Sequence, residues 1–571
     1  MTRQSRRNGI LGVILLVALA LRMWNIRQDL PYHYYHDESG VVYDALKMGT
    51  GDLNPHYFIY PTLWYYALLS LYGCYFLVGK MAGLFGSARD FALLYLKDPS
   101  SFFLLARTLA ALMGTAAVWA TYRLGKRLFG KSIGLIAAAF FAVLPLHVQN
   151  SHYAIVDTPM VTLFICSLFL IASVMRKGKS LQYALSGIVL GLAVATKYTA
   201  GVTALSLFYA HWVISRQRNY PFQRFAFSRD LWVSYLLACA AFIIACPFSV
   251  LDYRTFIGDL VNQWQCSQSG WYGWEKQPKT LAFFFFGVLK DGMSIPLWIV
   301  SLAGIAYAFI RHTKEDILLL TSLVFYLAVM AHSKLTYARY MLPVLPIAAV
   351  VSARLVSDLA GTLPLRTKKA AWSCRLILTA GLIFSPLSRS INIDRVFARP
   401  ALLTQVTKWI EVHIPQGSRI LVDEYSMPLV NTPENLRALQ KAKLSSRKDF
   451  GYRKMTDMFF ELQLEAARQA PISYRLTTLP HPVGYLADEK GYHQEWVTID
   501  AVSQMTGYRG KYDYIVISEY RERYYSGARG ENIPKRFNFM RDFYRSVQEH
   551  CRLVQEFSEG GSWQIRIYQV L

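Results

Sequence analysis

The chain of 571 residues is 53% hydrophobic and 17% charged, with 33 Phe, 37 Tyr and 13 Trp, and carries a formal net charge of +24. Long apolar runs recur along its first two-thirds, which points to a polytopic helical membrane protein with a soluble part. The positive excess sits in short clusters between those runs, such as Arg123/Lys126/Arg127 and Arg176/Lys177/Lys179, so membrane topology explains it more simply than nucleic-acid binding does.

Apolar segments are predicted near 8–24, 102–123, 132–149, 160–176, 181–196, 200–216, 231–248, 294–311, 316–332, 340–359 and 371–387. With the basic N-terminus inside, about 11 spans leave the basic clusters on one face. The first outer loop (25–101), His152–Asp157, 252–280, 332–340 and everything beyond about 389 then lie on the other. The first apolar run has some features of a signal peptide, with Ala18-Leu19-Ala20 resembling a cleavage site. It is expected to be retained as a span. Residues 60–85 are apolar enough to cross but would reverse the later loops, so an interfacial helix is expected there. Gly187 and Gly191 form a small-xxx-small pair suited to close helix packing.

Beyond 389 the texture changes to alternating strands (419–422, 512–518, 551–557, 563–570) and helices (454–469, 538–549). The expected architecture is therefore an α-helical polytopic membrane domain over 1–388, with interfacial helices in its first outer loop, and a C-terminal soluble α/β domain over 389–571. Of seven cysteines, Cys266 and Cys551 are the plausible disulfide partners, and the others read as packed thiols.

Four groups converge on the outer face. They are His36-Asp37-Glu38 after the first span, Asp157 in SHYAIVDTPM, Lys197 in LAVATKYTAG, and His332, Lys334, Arg339 and Tyr340 in HSKLTYARYMLPVLP. Carboxylates and cations gathered at a membrane face suit deprotonation of an acceptor and stabilisation of an anionic leaving group. Each group has a simpler explanation. Asp37, Glu38 and Asp157 would also serve as helix-terminal acids, and Lys197 and Arg339 would also snorkel to headgroups. His33 and His36 beside Asp37 suit a divalent metal, but no fourth ligand is fixed. Trp264, Trp271, Tyr272 and Trp274 read as an interfacial belt or a stacking surface. No Walker loop, HExxH, GxSxG or dinucleotide fingerprint occurs.

The order HDESGVVYDALKMG, YPTLWYYALLSL, ARTLAALMGTAAVWATYRLGKRLFGKSIGLIAAAFFAVLPLHVQNSHYAIVDTPM, LGLAVATKYTAG and RYMLPVLP, over about 8–390, resembles the bacterial branch of the GT-C glycosyltransferases. That branch is similar to dolichyl-phosphate-mannose protein mannosyltransferases and lipid A aminoarabinose transferases. The resemblance implies an inner-membrane enzyme moving a hexosyl or pentosyl group from a polyprenyl-phosphate donor to a hydroxyl acceptor on the extracytoplasmic face, with inversion. Asp37 would be the general base, with Glu38 beside it and Asp157 as a second acid. Lys197 and Arg339 would neutralise the lipid phosphate, and Lys334, Tyr340, His36 and Tyr60 complete the implied substrate-binding group. Tyr60 precedes Pro61 where relatives often carry a basic residue. No cofactor is implied, and a divalent metal stays open. A transporter or lipid flippase is the rival class, and an assembly protein acting through 389–571 is a third.

Overall fold

The computed structural model describes residues 3–270, 280–362, 368–423, 427–445, 457–479, 507–526, 538–559 and 563–571. Each predicted apolar segment falls on helix. Among the described residues, five helical stretches are long and apolar enough to cross a membrane: Ser100–Phe129, Asp157–Lys177, Phe222–Ala245, Val344–Thr362 and Trp372–His413. Shorter apolar helices accompany them, including Gly9–Met23 and Ser180–Val194. The segment predicted at 132–149 breaks into Lys131–Ala142 and Pro145–Asn150. Pro145 forces the break, because it lacks an N–H and opens the second piece at its first position.

Helices in lipid gain little from hydrophobic burial against one another, so packing and polar contacts hold them. Both are present. A Cβ on Gly187 would lie 2.0 Å from the Ser234 carbonyl oxygen, and one on Gly191 would lie 2.2 Å from that of Ala238. Only glycine lets Ser180–Val194 and Arg229–Ala245 pack so closely. Elsewhere Ser206 pairs with Ser322 at 2.6 Å, Ser301 with Ser352 at 2.9 Å, and Tyr183 with His211 at 2.6 Å, all buried.

The N-terminal helix Arg3–Met23 carries Ala18 and Leu21 into the main core. Residues 60–85 contain the helix Leu63–Met81, whose first half buries Trp64, Tyr65, Leu68 and Tyr72 against Phe102, Phe103 and Ala106. Its second half exposes Leu77, Val78 and Met81.

The C-terminal part holds a five-stranded sheet of β1 (Arg419–Val422), β2 (Arg475–Thr478), β3 (Tyr514–Ser518), β4 (Cys551–Glu559) and β5 (Trp563–Val570). The order is β2-β1-β3-β5-β4, with β1 parallel to β2 and β3, and β5 antiparallel to β3 and β4. Side chains alternate between faces. Ile420, Val422 and Val516 pack on Leu402, Val406 and Ile410, whereas Leu421, Ile515 and Ile517 pack on Phe543 and Val547. β2 has no counterpart in the sequence prediction.

Cys266 and Cys551, the plausible disulfide partners, are not joined, and all seven cysteines are thiols. Cys551 is committed to the core beneath the sheet, while Cys266 lies buried on the helix Tyr253–Ser269 of the other part. Trp264 is exposed on that helix, and Trp271, Tyr272 and Trp274 lie outside the described residues. The sheet region is fastened to the segment 25–101. Tyr34 Oη meets Thr404 Oγ1 at 2.8 Å, the Ala401 amide donates to Asp29 at 2.9 Å, and Arg89 pairs with Glu465.

Candidate active site

Asp37 and Glu38 open the helix His36–Met48. Successive helical residues point about 100° apart, so the two carboxylates enter different surroundings. Glu38 is fully buried and takes a two-pronged bond from Arg107, Nε to Oε1 at 2.8 Å and Nη2 to Oε2 at 2.7 Å. Its Oε1 also accepts from the Ala154 amide at 2.8 Å, and Arg107 Nη1 donates to the carbonyls of Ile26 and Gln28. Glu38 and Arg107 thus tie together the helix His36–Met48, the helix Ser100–Phe129 and two loops.

Asp37 turns the other way and keeps 31% of its side chain exposed while pairing with Arg339 Nη2 at 2.7 Å. Arg339 stands on the short turn Ala338–Met341, stacks 4.3 Å from the Tyr337 ring centroid, and donates through Nη1 to the Tyr35 hydroxyl at 3.0 Å. Its Nε lies 3.8 Å from Asp157 Oδ2, and Asp157 Oδ1 accepts from Lys197 Nζ at 2.6 Å. Two acids and two cations therefore alternate in one chain of contacts. The buried Arg339 Nε and Asp157 Oδ2, which face each other, form no hydrogen bond.

The helix-terminal reading holds for position, since Asp37, Glu38 and Asp157 each stand in a first helical turn, but not for capping. Tyr35 and Val156 occupy the cap positions, and no side-chain cap bond forms at either helix. Snorkelling fares no better, because Lys197 is 10% and Arg339 12% exposed and both face inward to carboxylates. Burial alone would lower the pKa of Arg339, but Asp37 and then Asp157 outweigh it and hold the guanidinium above its usual value. Burial pushes the Tyr35 phenol up to about 12, so it stays a neutral partner for Arg339 at ordinary pH.

The other candidates divide. Tyr340 and Tyr60 flank Lys197, with ring centroids 4.8 and 5.8 Å from its ammonium nitrogen, a cation–π setting for the charge. His36 is exposed beside Asp37. Lys334 is exposed and stands apart from the cluster, its backbone amide donating to the Ser267 carbonyl at 2.7 Å. His33 stacks on Phe103 at 4.5 Å and bonds Ser39 at 2.7 Å. Among the described residues no cluster of three or more His, Cys, Asp or Glu could hold a metal ion. Sequence reasoning passed over Arg107, Tyr35 and Tyr337. Only Arg107 carried a signal, as a lone cation inside an apolar run.

Residues 101–250, which carry Arg107, Asp157 and Lys197, match the family model described as dolichyl-phosphate-mannose-protein mannosyltransferase. An apo oligosaccharyltransferase from Archaeoglobus fulgidus superposes with TM-score 0.51 and 14% identity over 92% of this chain and 71% of that one. The chain has the fold of the GT-C glycosyltransferases. Another structure of this GT-C group, the oligosaccharyltransferase AglB from Archaeoglobus fulgidus in complex with an inhibitory peptide and a dolichol-phosphate, gives TM-score 0.50 and 13% identity over 98% and 74% of the two chains. ArnT from Cupriavidus metallidurans bound to undecaprenyl phosphate aligns over 97% of both chains at TM-score 0.49 and 14% identity. A search of curated proteins found no sequence match.

Proposed function

We propose that the protein is an integral-membrane glycosyltransferase that moves a sugar from a polyprenyl-phosphate donor to a hydroxyl-bearing protein, lipid or glycan. The observation that carries this reading is one partly exposed carboxylate, Asp37, joined through Arg339 to a second acid and a second cation. A lipid-phosphate donor is already activated, so the chemistry needs a base on the acceptor side and cations on the leaving-group side.

Arg339 pairs with Asp37 and reaches towards Asp157. Arg339 and Lys197 take the donor phosphate, and Asp37 faces the acceptor. Asp37 then accepts the acceptor hydroxyl proton as that oxygen bonds to the anomeric carbon. The bond from that carbon to the phosphate oxygen breaks, its electron pair stays on the phosphate, and the two cations stabilise the charge. A single displacement of this kind inverts the anomeric centre. Asp157 keeps both cations aimed at the site, and Glu38 fixes the helix that presents Asp37 without touching the acceptor.

The same reading takes in the eleven-span threading, the division at 388/389, and a site on the extracytoplasmic face of the inner membrane. Its test is phosphate binding. Arg339→Gln is expected to weaken the affinity of purified protein for polyprenyl phosphate at least about tenfold, the scale of one lost charge-assisted contact. Equal affinity in the variant, or no binding by wild type, would overturn the assignment.

A further inference from the structure

A second cationic site lies at the opposite end of the helix Ser100–Phe129. Arg123 and Arg127, one turn apart on that helix, both place guanidinium carbons over the single ring of Phe169, 4.8 and 5.2 Å from its centroid. Arg123 also lies 4.9 Å from the Trp119 centroid. Arg176, near the end of the helix Asp157–Lys177, donates to the Leu128 carbonyl at 3.1 Å. Arg176 and Arg123 both act on Arg127 as like charges, and none of the ion pairs among the described residues engages any of the three.

Like charges held together without a counter-charge are unfavourable, and an anion would relieve them. The neighbouring surface narrows its nature. Leu112 is 49% and Trp119 40% exposed, and with Arg123 they stand at i, i+7 and i+11 on one helix. That spacing forms a continuous stripe, apolar along its length and cationic at its end. Such a stripe matches an amphiphile with acyl chains along the helix and a phosphate at the arginines.

We propose that Arg123, Arg127 and Arg176, with Phe169 and Trp119, form a binding site for the phosphate of an anionic phospholipid in the leaflet at that end of the protein. The site is remote from the Asp37 cluster in the sequence threading and stands whether or not the glycosyltransfer reading is correct. Guanidinium suits it because the planar group bonds phosphate oxygens in pairs while stacking on an aromatic face.

The test adds phosphatidylglycerol, phosphatidylcholine or inorganic phosphate to full-length protein in neutral detergent and follows thermal unfolding and lipid retention in native mass spectra. Phosphatidylglycerol is expected to raise the Tm, and the other two to leave it unchanged. Arg123→Gln with Arg127→Gln is expected to weaken phosphatidylglycerol binding about 10- to 30-fold, from the usual contribution of each basic residue near anionic lipid. Removing the exposed Arg216 and Arg311 in the same way controls for bulk charge and should leave binding intact. Equal stabilisation by phosphatidylcholine or by free phosphate would overturn the proposal, as would equal binding by the Arg123/Arg127 variant. If that variant does not fold, photo-crosslinkable phosphatidylglycerol on wild type decides the matter. Labelling within 112–127 and 169–176 is expected, and labelling confined elsewhere refutes the site.

Discussion

Asp37→Asn is expected to give a folded protein whose turnover is lower by about 10²- to 10⁴-fold, the usual contribution of a positioned general base. The substitution removes almost no volume, and the remaining amide oxygen can still accept from Arg339 Nη2, now 2.7 Å from the carboxylate. The contacts among Arg339, Asp157 and Lys197 do not pass through the removed charge. Thermal stability and polyprenyl-phosphate binding should therefore stay near wild type while turnover is lost. Loss of donor binding together with activity would instead mean that Asp37 organises the cations, and near-normal turnover would remove it from the chemistry.

Glu38 offers the opposite outcome one residue away. Glu38→Gln or Arg107→Met is expected to destabilise the protein by about 3–5 kcal/mol, because either leaves a buried charge without its partner. Activity should fall only in step with the folded fraction. The pair has the geometry that makes such a loss large, since Arg107 meets both carboxylate oxygens and the pair is at most 2% exposed. Replacing both residues should cost less than the sum of the single changes, and a double-mutant cycle on unfolding measures that coupling directly. A Glu38→Gln protein of unchanged stability but abolished turnover would contradict the division of labour drawn between the two acids.

The resemblance implied Asp37 as the base, but the Arg107 partner that sets Glu38 apart was not legible in the sequence. Asp37 and Glu38 were visible as carboxylates where an apolar run ends, and threading by loop charge put Asp157, Lys197 and Arg339 on the same face. Which acid meets Arg339 depends on the helical rotation between adjacent residues and on a partner, Arg107, 69 positions away. Lys334 shares a loop with Arg339, but it is exposed and its backbone amide bonds the Ser267 carbonyl, and none of the ion pairs among the described residues joins it to the cluster. The strand β2 leaves no signal in the sequence because its four residues, Arg-Leu-Thr-Thr, carry too few apolar positions to show a period. The cysteines misled for a related reason. Cys266 and Cys551 were plausible partners by sequence alone, whereas distance in the fold decides pairing.

Sugar transfer from a lipid phosphate is the reaction proposed for the Asp37–Arg339–Asp157–Lys197 cluster. It is tested most directly by incubating the purified protein with a panel of polyprenyl-phosphate sugars and envelope-derived acceptors, and scoring free polyprenyl phosphate together with labelled product. Release matched by transfer, with inverted anomeric configuration, is the predicted result. No release from any donor, or a product with retained configuration, would contradict it.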